Sequence, residues 1–194
     1  MHDTSPSNRS GQVGFSWRQL LLCLSLALLL RWLVVEPRWI PSGSMLPTLA
    51  IRDRILVEKL RPRLGQETVP NGSIVVFQAP SSLVAGGYDP DAALIKRVVG
   101  LPGDTMEVRD GRLWRNGCPN DVLPNAEAIS YSMGPVTVQP HHLWVLGDNR
   151  NSSLDSHIWG PLPEKNVIGT AFWRYWPPSR FGPIRFPDHH SYGQ

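Results

Sequence analysis

Met106-Glu-Val-Arg-Asp-Gly-Arg-Leu-Trp-Arg-Asn-Gly117 decides what kind of fold this chain adopts. It carries two hairpin dipeptides, Asp110-Gly111 and Asn116-Gly117. Such pairs favour two-residue turns with positive φ at both central positions, whose twist suits antiparallel strands. Outward from this stretch, short apolar runs recur between turn signals. Ile55–Val57, Ile74–Phe77, Leu94–Val99, Val136–Val138, Leu143–Leu146 and Val167–Trp176 all read as strands. The 19 prolines and 17 glycines among 194 residues fit a turn-rich β architecture. No long helical period follows Arg52, and no internal repeat is visible. Pro80–Ala93 and Asp121–Gly134 read as loops, with a small insertion at about 118–135. Pro177–Gln194 reads as a loosely ordered tail, its His189-His190 pair too isolated to be a ligand set.

Before residue 37 the pattern is different. Leu20–Leu30 reads LLLCLSLALLL, without a charge. Leucine on every face argues against a surface helix, which would show one apolar stripe. Extending to Phe15–Val35 approaches the length of about 20 residues that a bilayer span needs, provided Arg18 and Arg31 snorkel from its ends. Trp17, Trp32 and Trp39 suit the two interfaces. A cleavable leader is the rival reading, but Arg31–Arg38 offers no small-x-small cleavage site. The expected organisation is a tail over 1–15, one transmembrane helix over 16–36, a mainly β domain over 37–178 and a tail over 179–194.

The formal net charge is +3, with 19 basic residues of which only Lys59, Lys96 and Lys165 are lysine. The basic residues are scattered, which argues against nucleic-acid binding. Cys23 and Cys118 lie in unlike surroundings and are not expected to pair. No Cys/His ligand pattern points to a metal, and no cofactor is implied.

Three stretches carry chemistry. Pro41-Ser-Gly-Ser-Met45 sets two hydroxyls either side of a glycine just past the oily run. Serine is a weak nucleophile until a base takes its proton. His141, His142 and His157 are candidate bases for a triad, although no Gly-x-Ser-x-Gly elbow is present. Lys96, in Ala93-Leu-Ile-Lys-Arg-Val-Val-Gly100, is another. Strand alternation puts it on the face of Leu94 and Val98, where lost hydration would lower its pKa. On this segment alone the reading to prefer is an ordinary edge-strand lysine reaching water. Leu146–Pro161 is a polar loop leaving an apolar strand. It reads either as an elaborate turn closed by Asp–Arg pairing or as a platform that positions catalytic groups.

Taken together, these stretches resemble type I signal peptidases, the membrane-bound serine proteases that remove signal peptides. The resemblance rests on Pro41–Leu49, Ile51–Lys59, Gly72–Phe77, Lys96–Asp104 and Gly147–Gly160, in that order along the chain. It implies a signal-peptidase-type β-sheet catalytic domain behind one N-terminal transmembrane helix. It implies Ser44 as nucleophile and Lys96 as general base. The Ser42 hydroxyl and the Ser44 backbone N–H would form the oxyanion hole, and Ser153 would orient the lysine. Asp148, Arg150 and Asp155 would hold the surrounding loop. Ile40, Pro41, Leu49, Ile55, Leu94 and Ile95 match positions lining shallow pockets for small residues at −1 and −3 of exported precursors. The implied partners are those signal peptides and membrane lipid. The catalytic domain would lie on the outer side of the cell membrane, or in the lumen for a thylakoid membrane.

The sequence departs from the family pattern at Ser73, Asn151-Ser152 and His157. At the last, an arginine often pairs with the aspartate matching Asp155, so Asp155 is expected to pair with His157 or Arg150. A related Ser-Lys maturation protease with a dedicated substrate is one alternative. A non-catalytic membrane-anchored β-domain is another.

Overall fold

Both hairpin dipeptides turn the chain as their residues predict. Asp110 and Gly111 have φ of 53° and 71°, and Asn116 and Gly117 have 53° and 78°. They join β5 (Thr105–Arg109), β6 (Arg112–Arg115) and β7 (Cys118–Pro119) into consecutive antiparallel neighbours. The structure is a computed structural model and describes residues 16–60, 69–120 and 127–184.

The remaining elements, in chain order, begin with α1 (Trp17–Val34), β1 (Val35–Trp39), β2 (Arg54–Glu58), β3 (Ile74–Gln78), α2 (Ser81–Ala85) and β4 (Ala93–Gly100). After the hairpins come β8 (Met133–Thr137), β9 (His142–Leu146), α3 (Ser156–Trp159), β10 (Leu162–Pro163), β11 (Val167–Trp176) and β12 (Gly182–Pro183). The larger sheet runs β1-β2-β11-β3-β4-β9-β10, with β12 beside β11, and the smaller runs β7-β6-β5-β8. Every run read as a strand lies in or overlaps one of these elements.

β3 shows why its sequence is continuously apolar. Val75 and Phe77 enter one core cluster, Ile74 and Val76 another on the opposite face. A strand in the middle of a sheet covered on both sides has no polar face to present. The third cluster joins Val99 and Trp144 of the large sheet to Met106, Val108 and Leu113 of the small one. Burying each such side chain contributes about 1.5–3 kcal/mol.

Three expectations need correction. Pro80–Ala93 is not all loop, because α2 forms within it and buries Leu83. One turn of helix is too short to leave a period in the sequence. The first part of the tail is seated: β12 pairs with β11 and Ile184 joins a core cluster. The third correction concerns α1, whose leucines over Leu20–Leu29 do face outward, Leu20 and Leu22 being 64% and 71% exposed. However, it has 18 residues, or about 27 Å at the α-helical rise. Val35 and Glu36 already belong to β1. Among the described residues no helix is long and apolar enough to cross a membrane. The side chains of Arg31 and Trp32, Phe15 and the rest of the 1–15 tail, part of the expected insertion (121–126), and the His189-His190 pair lie outside the described residues. Cys23 and Cys118 are both free.

Candidate active site

The nucleophile candidate sits where a strand-to-strand connection tightens. After β1 the chain makes a single 3-10 turn, Gly43–Met45, closed by the Leu46 amide donating to the Gly43 carbonyl at 3.1 Å. Met45 and Leu49 are fully buried and pin the turn to the core. Ser44, between them and the surface, is 8% exposed.

β4 delivers Lys96 to the same point. Its Nζ lies 2.8 Å from Ser44 Oγ and 2.9 Å from the Ile95 carbonyl. The residue is 4% exposed. Burial pushes its amine from the ordinary 10.5 down to about 8, against the charges of Asp155 and Asp148, which raise it. Desolvation wins because the charged form has little water left and the carboxylates sit outside contact. Such an amine is substantially neutral at mildly alkaline pH and can accept a hydroxyl proton. The edge-strand reading fails, since β4 runs between β3 and β9.

Ser42 Oγ lies 3.3 Å from Ser44 Oγ. Ser153 is close to the site, but among the described residues its buried hydroxyl makes no hydrogen bond, and Lys96 bonds Ser44 and Ile95 instead. Asp148 takes a bidentate pair from Arg97, Nε and Nη2 both at 2.7 Å, with the two side chains at most 1% exposed. Asp155 accepts from the Gly147 amide at 2.8 Å and meets His157 Nδ1 at 2.6 Å. Of the two partners expected for Asp155, His157 is therefore the one it contacts, and that ring stacks on Tyr131 at 4.0 Å. Arg150 is buried, its Nε has no hydrogen-bond partner among the described residues, and burial lowers its pKa against Asp148, Tyr131 and Asp155.

A cleft of about 590 Å³ opens beside the pair. Pro41, Ser42 and Ser44 line it, as do Leu94, Ile95 and Lys96. Tyr88 and Leu154, which sequence reasoning passed over, complete its apolar lining. Ile40, Leu49 and Ile55 do not line it. They pack at no more than 1% exposure in the core beneath, because their strand and loop positions point inward.

Asn149 and Arg97 were also missed. The Asn149 amide donates to the Ser44 carbonyl at 3.0 Å, and its side-chain amide to the Gly43 carbonyl at 3.3 Å. Both residues lie inside quoted motifs, but only the fold brings them to their partners. Gly147 is a third case. A Cβ there would stand 2.5 Å from the Ser44 carbonyl oxygen and 2.2 Å from Ser153 Oγ. Gly147→Ala is therefore expected to displace the nucleophile turn and lower the turnover number by about 100-fold. Steady-state assay beside a melting curve checks this: a parental turnover number would refute the close approach.

A family profile described as signal peptidase, peptidase S26, matches residues 15–176. The chain belongs to that family. Among curated relatives, "Probable signal peptidase I-1" of Synechocystis sp. is 47% identical over 165 residues, covering 85% of this chain and 83% of that protein. Signal peptidase I of Leptolyngbya laminosa is 43% identical, covering 86% and 81%. "Probable thylakoidal processing peptidase 2, chloroplastic" of Arabidopsis thaliana is 45% identical over 83% of this chain but only 43% of that protein.

Proposed function

We propose that this signal peptidase removes signal peptides from exported precursors, with Ser44 as nucleophile and Lys96 as general base. The observation that carries the reading is the 2.8 Å separation between Ser44 Oγ and a desolvated Lys96 Nζ. Neutral Lys96 takes the hydroxyl proton as Ser44 Oγ attacks the scissile carbonyl. The oxyanion forms against the Ser42 hydroxyl and the Ser44 N–H, donors that other serine proteases show to be worth about 2.7–4 kcal/mol each. Lysine then protonates the leaving amine, and afterwards activates the water that cleaves the ester. Ser-Lys pairs are a known variant of the triad.

The precursor lies extended along the cleft, where Pro41, Leu94, Ile95 and Leu154 leave room for small residues at −1 and −3. Ser153 supports the lysine once substrate has closed the cleft. The loop fastened by Asp148 and Asp155, with buried Arg150 beneath it, backs the nucleophile turn. α1 attaches the domain to the membrane, on its extracytoplasmic or lumenal side. The support is its outward-facing leucines, Leu20 and Leu22 among them, which stand exposed among the described residues. Sharing a bilayer with membrane-inserted precursors raises their effective concentration at the site.

The test is the pH dependence of kcat/KM for full-length protein in detergent on a precursor with an Ala-x-Ala site. Activity is expected to fall on the acid side with a midpoint near 8, where Lys96 gains its proton. A midpoint at about 6.5 or below would instead indicate a histidine base.

A further inference from the structure

The loop that follows the nucleophile is held from outside by the C-terminal end of the described chain. The Thr48 carbonyl accepts from Arg174 Nη1 at 2.9 Å and from Arg180 Nη2 at 3.1 Å. The same Arg180 nitrogen lies 3.4 Å from the Pro47 carbonyl. Both guanidinium groups converge on Asp53, which is 2% exposed, at 3.5 Å and 3.2 Å. Asp53 in turn closes the loop by accepting from the Ala50 amide at 2.9 Å. Arg174 Nε donates to the Arg180 carbonyl at 2.6 Å, so the two arginines are tied to each other. Arg180 returns to this point because the chain turns at Pro178–Arg180 and runs back along β11 as β12. Ile184 then anchors the segment in the cluster that holds Met45 and Leu49. On the inner side, Arg97 Nη2 lies 3.4 Å from Thr48 Oγ1. Thr48 is thus the meeting point of the nucleophile loop, the strand that carries Lys96, and the C-terminal segment.

We infer that Arg174, Arg180 and Asp53 form a clasp through which the segment 177–184 sets the position of Ser44 against Lys96. The inference rests on the assignment of Ser44 and Lys96 proposed above. Both arginines are positioning residues, since neither lines the cleft and neither reaches the reacting atoms. The physical basis is the fork of the guanidinium group, which bonds a carbonyl and a carboxylate at once and so fixes a loop that Met45 and Leu49 anchor on one side only. Loosening it lets the turn drift outward, and a misplacement of about 1 Å at a reacting pair can cost 100-fold in rate.

The experiment compares full-length parent, Arg180→Gln, Arg174→Gln and Ser44→Ala in detergent, with an Ala-x-Ala precursor, across pH. For both arginine variants kcat is expected to fall about ten- to 100-fold while KM stays within about twofold. The acid limb is expected to move up by about half a pH unit, because water reaches the Lys96 amine while Asp148 and Asp155, the carboxylates that act on it, stay in place. If Arg180→Gln fails to fold, Arg180→Lys keeps a charge beside Asp53 but has no second arm for Thr48, and should give the same kcat loss and pH shift. Parental kcat and an unmoved acid limb, or a loss confined to KM, overturn the clasp while Ser44→Ala remains inactive. Cleavage that survives in Ser44→Ala overturns the nucleophile assignment and the clasp with it.

Discussion

Lys96→Met is expected to be inactive and, at neutral pH, more stable than the parent. The activity loss should reach about 10⁴-fold or more, because a nucleophile and its base act as one unit. For the same reason Ser44→Ala should cost about as much alone, and the double variant little more than either. The stability gain follows from burial. Moving the amine from 10.5 to about 8 corresponds to roughly 3 kcal/mol held against the fold, at about 1.4 kcal/mol per pH unit. Methionine fills similar space without a charge. The sign can be followed along the pH axis. Below pH 8 both folded and unfolded parent hold the proton, and the folded state bears the full desolvation penalty. Between about 8 and 10.5 the unfolded chain binds more protons, so parental stability rises with pH. The advantage of Lys96→Met should therefore be about 1–3 kcal/mol at pH 7 and vanish near 10.5. Chemical denaturation at several pH values measures it. A variant less stable than the parent at pH 7 would mean that the lysine is not held against its solvation.

Asp148→Ala is expected to be the most destabilising single change near the site. Arg97 and Asp148 are buried against each other with two 2.7 Å bonds. Removing the carboxylate leaves a guanidinium with one good partner, the Gly72 carbonyl at 2.7 Å, in a place without water. Breaking such a pair costs about 3–5 kcal/mol, or roughly a 10 °C fall in melting temperature for a domain of this size. Activity measured well below the new midpoint should also drop, since Asn149, the next residue, holds the Ser44 and Gly43 carbonyls. The double variant Arg97→Met with Asp148→Leu should recover most of the stability, because a well-packed apolar pair can replace a buried ion pair. A melting temperature within about 2 °C of the parent for Asp148→Ala would show that the pair does not fasten the loop.

The structure separates what was legible from what was not at particular residues. Strand positions were readable because two-residue turns and alternating runs are local signals. α2 was not, since its five residues are too few to show a period. The candidate dyad came from a resemblance carried by long motifs. The residues alone had favoured a surface lysine at position 96. Ile40, Leu49 and Ile55, matched to pocket positions by resemblance, pack in a core cluster, because sequence does not say whether an apolar side chain points toward substrate or toward core. Arg97, Asn149, Arg174 and Arg180 were passed over, since their partners lie far along the chain.

By itself the sequence determined a leucine-rich helix followed by a β domain, and the residue types on which the chemistry depends. Those properties are written in neighbours a few positions apart, where turn preference and hydrophobic spacing act. The tertiary structure alone decided that an amine on one strand meets a hydroxyl 52 residues away, that burial lowers the pKa of that amine, and that the chain's returning end bonds the Thr48 carbonyl of the loop after Ser44. Those depend on which surfaces exclude water from one another, and that is settled only when distant segments pack.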